Sequence, residues 1–379
     1  MPQTQAETRT KPPVEPPVET RAEILLPTTD LRGDLAFFTK TLGMRLDMIY
    51  PADNPAVAVI SGHGLRLRLD AEAQTAAGLI RLLSDDWAGI AEGKQSLASP
   101  GGTHVELDEL NPPLVMPKTE HAFVVRRLAD QAPWVIGRAG MMYRDLVPNR
   151  LGGAMIASHI RVPDGKVPDM VHFHKVGFQL IFCIKGWVDV LYEDQGGIRR
   201  LHAGDCFIQP PTIRHRVLES GDGIEVIEIG VPADHVTEID HDMTLPNPTL
   251  NPDREWDGQR FVHNVGATGA FAPFRIPGFE ARDTTINANT KGTASVMVAR
   301  PAPNSAGIAP WTKHDGDILF TFVMSGAMTL EGEGKDPYRL SSGDAFVIPP
   351  GMATRYADTT PDLQLVEVSL PGSFQTTPL

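Results

Sequence analysis

The sequence predicts a mainly β protein in which a small α+β module of order βαβββ precedes two similar antiparallel β-barrels. Three observations support this fold class. The C-terminal two thirds of the chain repeat themselves at an interval of 138 to 139 residues, which indicates two copies of one architecture. Glycine and proline, at 35 and 33 of 379 residues, are spread along the chain, as is typical of short strands joined by turns. The clearest helical periodicity is confined to one short stretch near the N-terminus.

Composition and charge exclude several classes of protein. The 34 Lys and Arg against 47 Asp and Glu give a net charge of −13, which argues against nucleic acid as the main partner because phosphate binding needs a basic face. No apolar run reaches the roughly 18 residues that a membrane helix requires. Two cysteines cannot form a disulfide framework. We therefore expect a cytoplasmic protein that binds neither nucleic acid nor a membrane.

A leader and a compact module are expected in the first 110 residues. Residues 1–21 hold five prolines and no apolar core, which predicts a disordered leader. Apolar residues then recur every three or four positions from Leu31 to Leu42, which predicts a helix. The extension is expected to be helical over 71–83 and to add a strand over 103–108, so that the module covers residues 22–110. Strand-like runs flank the first helix at 23–27, 44–50, 56–61 and 65–69.

The stretch EILLPTTDLRGDLAFFTKTLGM, residues 23–44, resembles the opening of a glyoxalase-type (vicinal oxygen chelate) module. In that family the first strand often carries a metal-binding histidine, and Glu23 stands in that strand here. Such modules work in pairs, and no second copy is evident in the sequence. The resemblance therefore implies a structural or dimer-forming module rather than an active metal site.

The repeat lies in the remainder of the chain. The segment GMMYRD at 140–145 returns as GFEARD at 278–283, and AGDCFIQPP at 203–211 returns as SGDAFVIPP at 342–350. Each copy contains many short strand-like runs punctuated by Gly and Pro, which predicts two similar antiparallel barrels. The predicted ranges are 111–241 for the first barrel, 242–260 for a linker rich in Pro and Asn, and 261–379 for the second barrel.

The first copy contains a group of residues suited to metal binding. His172 and His174 are two positions apart, so on a strand both side chains point to the same side. Gln179 follows on the next run, and His215 follows the Pro210-Pro211 turn. Three imidazoles that converge on one point suit Fe(II), Zn, Ni, Cu or Mn. The alternative is three polar barrel residues without a metal.

These residues resemble the two motifs of the cupin family, and the match covers most of residues 136–375. The family pattern is His-x-His, three or four residues, Glu, six residues and Gly, followed by a Gly-Asp, a Pro-containing turn and a last His. The spacing holds here, but Gln179 replaces the Glu. The resemblance implies that His172, His174 and His215 bind one divalent metal per chain, with Gln179 as a weak or absent fourth ligand. It also implies two double-stranded β-helix (jelly-roll) barrels.

The second copy departs from this pattern. The repeat places threonine or leucine at three of the four ligand positions and leaves His314 at one of them. One histidine cannot hold a catalytic ion, so we expect a metal-free barrel and a surface position for His314. The residues at the four positions are Thr312, His314, Leu319 and Thr354.

The three-histidine set implies a function through the same resemblance. Glutamine neither lowers the charge of the site nor acts as a base, so an Fe(II) centre would keep its full charge and bind an anionic substrate beside O₂. The two-barrel layout is similar to the gentisate-type bicupin dioxygenases, and the sequence is closer still to uncharacterised bacterial cupins. We therefore expect an Fe(II) dioxygenase acting on a small anionic compound, either a carboxylated aromatic or a diketone-like one.

Two alternatives stay open. One is a non-redox isomerase or lyase that uses Zn, Ni or Mn as a Lewis acid. The other is a small-molecule-binding or sensory protein without catalysis, because fold does not determine function.

The sequence around the histidine motif offers further candidate site residues. His159, within the strand predicted over 154–162, either faces the barrel as a fourth ligand or base or is a hydrogen-bonded core residue. Arg161 would bind a substrate carboxylate through two parallel hydrogen bonds. The predicted catalytic residues are therefore Gln179, His159 and Arg161. Open sheet edges and the unpaired first module also predict a homodimer.

Overall fold

The computed structural model describes residues 23–50, 55–130, 133–305 and 307–379. The leader predicted over 1–21 lies outside these residues. The chain divides between Pro113 and Leu114 into two compact units, close to the boundary predicted after residue 110.

The first unit begins with the predicted βαβββ order. Strand β1 lies parallel to β4, and the sheet order is β1-β4-β3-β2. The side chain of Asp30 caps helix α1 by accepting a hydrogen bond from the Gly33 amide at 2.9 Å, as favoured at a helix start. The elements are β1 (Ile24–Pro27), α1 (Leu31–Ala36), a π-helical turn (Phe37–Thr41), β2 (Arg45–Tyr50), β3 (Val57–Gly62) and β4 (Leu65–Asp70).

The extension of this unit is a second sheet, so the helix predicted over 71–83 is wrong. Ile80 and Leu82 are buried while Leu79 and Leu83 are exposed, and this alternation is the period of a strand. The buried residues of both sheets form one core. The first sheet therefore packs its apolar face within its own unit. The elements are β5 (Leu79–Ser84), a 3₁₀ segment (Trp87–Gly93), β6 (Ser96–Ala98) and β7 (His104–Glu109), in the order β5-β7-β6.

The second unit contains the two predicted barrels, and the first is built around two long strands. Strands β14 and β17 pair antiparallel from Phe178↔Val231 to Tyr192↔His215. In chain order, the strands of the segment 124–264 are β8 (Val124–Arg126), β9 (Val135–Ile136), β10 (Met142–Asp145), β11 (Ile156–Arg161), β12 (Gly165–Lys166), β13 (His172–Lys175), β14 (Phe178–Tyr192), β15 (Arg199–His202), β16 (Cys206–Ile208), β17 (His215–Val231), β18 (Val236–Ile239), β19 (Glu255–Trp256), β20 (Gln259–Arg260) and β21 (Val262–Asn264).

The second barrel repeats the first in register. The pair His172↔His215 of the first barrel corresponds to Thr312↔Thr354 of the second. The elements are β22 (Phe271–Pro273), β23 (Phe279–Asp283), α2 (Ile286–Asn289), β24 (Ser295–Pro301), β25 (Thr312–His314), β26 (Ile318–Ser325), β27 (Ala327–Gly332), β28 (Tyr338–Ser341), β29 (Ala345–Val347), β30 (Thr354–Ala357), β31 (Gln364–Leu370) and β32 (Thr376–Pro378).

The helices of this chain are short. Across the part of the chain that the structure describes, no helix has the length and apolar character needed to cross a membrane.

The two barrels exchange short strands across the predicted domain boundaries. Strand β8 pairs with β29 of the second barrel, and β21 pairs with β16 of the first. Residues 124–126 therefore belong to the sheet of the second barrel, and 262–264 to that of the first. Because each barrel supplies an edge strand to the other, both share one large apolar core in which Phe182 and Phe322 are buried. The predicted linker holds the short β19–β20 hairpin.

Two arginines reinforce this junction at equivalent positions. Arg144 donates to the Gly343 carbonyl, and Arg282 donates to the Gly204 carbonyl at 3.0 Å. Both glycines have φ close to +90°, a conformation that side chains other than glycine rarely adopt. The repeated Arg and Gly residues seen in the sequence therefore join the barrels.

Candidate metal centre

Two adjacent strands bring the three predicted histidines together. His172 and His174 lie on β13 and point to the same side, while Phe173 between them stacks against the Arg214 guanidinium at 4.2 Å. His215 starts β17 and is the register partner of His172. All three side chains are buried, and their ligand atoms lie within 4.8 Å of one another.

Hydrogen bonds orient each imidazole. His172 Nδ1 lies 2.8 Å from the Met170 carbonyl, and His215 Nδ1 lies 3.0 Å from the Ile213 carbonyl. A carbonyl oxygen only accepts, so each Nδ1 carries a proton, and Nε2 is the atom left to bind a metal. His174 Nδ1 lies 2.8 Å from Thr237 Oγ1. This arrangement of bonded Nδ1 atoms is typical of metal-binding histidines, and the donor set fits a divalent transition metal.

The three imidazoles line a cavity of about 260 Å³ inside the first barrel. Most of its wall is apolar, and a few polar groups project into it. The apolar residues are Met141, Ile156, Ile160, Val162, Ile181, Val188, Val190, Phe207, Val217 and Val226. The other polar residues are Tyr143, Ser158, Tyr192, Gln209, Glu228, His235 and Thr237. A mostly apolar pocket with a few placed polar groups is typical of small-molecule sites.

Gln179 lies on β14 and is almost fully buried, at 1% exposure. Its Nε2 donates a hydrogen bond to Glu228 Oε1 at 2.7 Å. Its Oε1 has no hydrogen-bond partner among the residues that the structure describes, and Gln179 does not line the cavity. The structure therefore places Gln179 against a carboxylate, and its role as a fourth ligand or catalytic residue stays a prediction.

The sequence reasoning missed Glu228. This residue lies on β17 opposite Ile181 of β14, and both line the cavity. The repeat contained a signal, because Glu367 holds the same register position opposite Thr321 in the second barrel. Glu228 lies far along the same long strand that begins with His215, and no local spacing in the sequence identifies it.

His159 is a hydrogen-bonded core residue, one of its two predicted alternatives, and neither His159 nor Arg161 lines the cavity. Ser158 and Ile160 line the cavity, and alternate residues of a strand point to opposite faces. His159 Nε2 instead lies 2.7 Å from Glu225 Oε2, and its Nδ1 lies 3.1 Å from the Arg144 guanidinium.

Arg161 lies in the same group outside the cavity. Its Nε is 3.3 Å from Glu225 Oε1, and its guanidinium stacks 4.1 Å from the centre of the Trp134 ring.

The protonation state of His159 agrees with a structural role. Burial and, to a smaller extent, the Arg144 charge lower the pKa of His159 to about 4, although Glu225 opposes the shift. The imidazole is therefore neutral near pH 7, with Nδ1 accepting from Arg144 and Nε2 donating to Glu225.

The second barrel holds an ion pair where the first holds its site. Arg275 makes two hydrogen bonds to Glu367, one from Nε at 2.7 Å, and a third to Thr376. His314 is buried, not at the surface as predicted, and its Nε2 lies 3.1 Å from the Ile348 carbonyl. Among the described residues, three potential metal ligands come together at His172, His174 and His215 of the first barrel, and His314 of the second barrel belongs to no such group.

The first unit places Glu23 in an ion pair. Its Oε1 lies 2.8 Å from Arg66 Nε, and an arginine partner does not suit a metal ligand.

Comparisons with known proteins agree with this fold. The family model described as "Cupin domain" matches residues 302–368, within the second barrel. A search of curated proteins by sequence finds no match.

Solved structures of Bacillus subtilis oxalate decarboxylase resemble the chain. An arginine-to-alanine variant aligns at 14% identity and TM-score 0.51, covering 69% of this chain and 82% of that one. The enzyme at pH 4.6 aligns at 15% identity and TM-score 0.50, covering 69% and 81%. A structure from a study of its Mn(II) centers aligns at 14% identity and TM-score 0.50, covering 69% and 82%.

At this level of identity the likeness concerns the fold alone. It confirms the predicted architecture, which is mainly β with two cupin-type jelly-roll barrels. The family model identifies a cupin domain within residues 302–368 alone.

Proposed function

We propose that this protein is a metal-dependent enzyme in which His172, His174 and His215 bind one divalent ion beside the substrate cavity. One observation carries the proposal: three buried imidazoles, oriented by hydrogen bonds at Nδ1, line the same cavity as the carboxylate of Glu228. A binding protein needs no such carboxylate beside its metal, whereas proton transfer does. Fe(II) is the metal we favour, with Mn, Zn and Ni as alternatives, and dioxygenation is the reaction we favour.

The chain's own residues define the chemistry around the ion. When bound, a divalent ion would supply Lewis acidity toward a chelating substrate and, as Fe(II), redox chemistry toward O₂. Glu228 acts as the base that takes a proton from the bound compound. Gln179 positions that carboxylate by donating to its Oε1. The apolar wall excludes water, which strengthens the electrostatic contacts inside the cavity.

A second candidate is a non-redox lyase that uses Mn. Its support is the likeness in fold to oxalate decarboxylase. One of the similar structures comes from a study of the Mn(II) centers of that enzyme. Glu228 would then transfer the proton in the same way, without consumption of O₂. The two candidates differ in metal and in oxygen uptake.

Elemental analysis of protein purified without added metal tests the site. We expect about one metal per chain in the wild type and in His314→Ala, which removes the histidine at the equivalent position of the second barrel. We expect His174→Ala to lose the metal. Iron would justify an oxygen-electrode screen with carboxylated aromatic and diketone compounds. Manganese, zinc or nickel would favour the non-redox enzyme. Absence of metal from the wild type, or its retention in His174→Ala, would overturn the proposal.

The variant Glu228→Gln tests the assigned base. It should retain the metal and lose turnover by roughly 10²–10⁴-fold, the usual contribution of a general base. Glu219→Gln makes the same chemical change on the exposed part of β17 and should leave turnover unchanged. Full activity of Glu228→Gln would remove the base from the mechanism.

A further inference from the structure

Strands β14 and β17 contribute four valines to the apolar wall of the cavity. Val190 and Val217 are register partners across these strands. Val188 lies two residues before Val190, and Val226 lies farther along β17. All four side chains line the cavity. We call Val188, Val190, Val217 and Val226 the valine wall.

The second barrel has a larger side chain at each position of the valine wall. The two barrels repeat in register, so strand pairing identifies each equivalent residue. All four equivalents are buried in the core of the second barrel. Valine in the first barrel therefore leaves space that the second barrel gives to its own side chains. The equivalents of Val188, Val190, Val217 and Val226 are, in that order, Met328, Leu330, Tyr356 and Leu365.

The ring of Tyr356 shows where this space lies. Its centre is 5.7 Å from that of the Phe279 ring and 5.9 Å from that of the Phe346 ring. The repeat places Met141 and Phe207 of the first barrel at the positions of these two phenylalanines, and both line the cavity. A tyrosine in place of Val217 would therefore project into the cavity.

Two positions on β10 and β11 differ in the opposite sense. Tyr143 and Ile160 are register partners that line the cavity, and the second barrel has Ala281 and Ala299 in their place. The first barrel therefore has bulky residues on β10 and β11 and small ones at the valine wall.

The valine wall adjoins the polar part of the cavity. On β17, Val217 is two residues from His215. Val226 is two residues from Glu228 on the same strand. Such neighbours lie on one face of a strand, roughly 7 Å apart. A compound whose polar head faces the histidines would therefore place its body against the valine wall.

The volume of the cavity sets the size of that body. The cavity measures about 260 Å³, whereas an apolar cavity of about 150 Å³ in an engineered protein holds one benzene molecule. The remainder suits a small polar head. The volume also lies below the roughly 300–1,000 Å³ of sites for drug-sized ligands. One ring or a branched chain of similar volume therefore fits the space.

We propose that the valine wall determines substrate specificity by holding an apolar body about the size of one benzene ring, while the polar head of the same compound faces the three histidines. The substrate class is a monocyclic aromatic compound, or a branched compound of similar volume, with a chelating head. The proposal rests on the proposed function, because it places the substrate in the cavity beside the metal. It deepens that function by assigning the residues that select the substrate.

Calorimetric titration of the Zn(II)-loaded full chain tests the valine wall without turnover. The probes are acetohydroxamate and benzohydroxamate, which share a chelating head and carry a methyl group and a benzene ring, respectively. Each buried methylene-sized group contributes roughly fourfold in affinity. We therefore expect benzohydroxamate to bind at least about tenfold more tightly, which burial of two of the additional ring carbons would provide.

Two variants introduce residues of the second barrel. Val217→Tyr should retain zinc and weaken benzohydroxamate binding at least about tenfold, because the tyrosine ring takes the space of the ligand ring. Val226→Leu adds one methylene and should weaken benzohydroxamate about fourfold with little effect on acetohydroxamate. This milder variant decides the question if Val217→Tyr does not fold.

The matched control is Val236→Tyr. Val236 lies between two residues that line the cavity but is itself exposed, so its side chain points away from the cavity. This variant should take up zinc and bind both probes as the wild type does.

Zinc content distinguishes failure of this proposal from failure of the proposed function. Loaded protein that binds acetohydroxamate as tightly as benzohydroxamate, or that binds neither, would overturn the role of the valine wall and leave the metal site intact. Equal weakening of both probes in the folded variants, or benzohydroxamate binding that those variants leave unchanged, would overturn it as well. Failure of the wild type to take up zinc, or equal uptake by His174→Ala, would instead overturn the proposed function.

Discussion

A shift to acid should destabilise the protein through His159, and the variant His159→Gln should remove that sensitivity. The glutamine can donate to Glu225 and accept from Arg144, as the neutral imidazole does, but it does not titrate. We expect the wild type to be the more stable protein near neutral pH. As the pH falls, the difference between the two proteins should shrink.

The size of the effect follows from the pKa of His159, which burial lowers from 6.5 to about 4. The unfolded chain then binds a proton between these values that the folded chain does not bind, so stability falls as the pH falls. At roughly 1.4 kcal/mol per pKa unit, the loss is about 3 kcal/mol in full. The contribution of His159 to the unfolding free energy is complete above about pH 6.5, decreases as the pH falls toward about 4, and changes little below that pH. Solvent screening does not reduce this contribution, because the His159 side chain is only 3% exposed.

The assay is urea unfolding of both metal-free proteins at intervals from about pH 7.5 to 4.5, which brackets most of the transition. Groups that do not contact His159 titrate alike in both proteins, so the difference in unfolding free energy reports the His159–Glu225 pair. We expect that difference to change by about 2–3 kcal/mol across the range. A constant difference would refute the neutral, buried imidazole, and a change of opposite sign would mean that Glu225 governs its pKa.

Four further predictions concern the framework. Arg282→Met should cost about 1–3 kcal/mol in unfolding free energy, because it leaves the partly buried Gly204 carbonyl without this donor; an unchanged thermal midpoint would contradict that. Glu367→Gln should cost about 3–5 kcal/mol by leaving Arg275 charged and buried, and the pair Arg275→Met with Glu367→Leu should recover most of the loss in the same unfolding assay. Chelation should abolish activity with little change in thermal midpoint, since the barrel cores pack without the ion; a large fall would show that the metal holds the fold. Light scattering tests the predicted homodimer, and a monomeric mass would exclude it.

The two-barrel fold could be predicted because its signals are local. Gly186 and Gly326 both have φ of +68°, so glycine is retained at this turn in each copy. The exchange of β8 and β21 between barrels could not be predicted. Each is a strand of three residues whose pairing depends on contacts distant in sequence. The second sheet of the first unit was missed because residues 79–84 are too short to distinguish a strand from part of a helix.

The metal centre was predictable in part for a similar reason. His172 and His174 are related by the two-residue period of one strand, which the sequence displays directly. The face on which His159 lies depends on the register of β11 against β17, and the sequence does not display that register. Glu228 joins the site only through pairing of two long strands. Residues that meet across strands therefore needed the structure.

The two barrels share one fold but surround an equivalent carboxylate with different residues. Glu228 and Glu367 occupy the same register position, so both barrels place a carboxylate inside. In the second barrel the Arg275 guanidinium neutralises Glu367 with two hydrogen bonds, and Tyr356 fills the space. A buried carboxylate needs a positive partner, and the second barrel supplies one from its own chain.

The first barrel has no such internal cation among the described cavity-lining residues. There Gln179 donates a hydrogen bond to Glu228. The arginines that join the barrels recur in both copies, whereas the residues of the barrel interior differ. The repeat is therefore retained at the junction, while the two barrels surround the carboxylate at this register position with different residues.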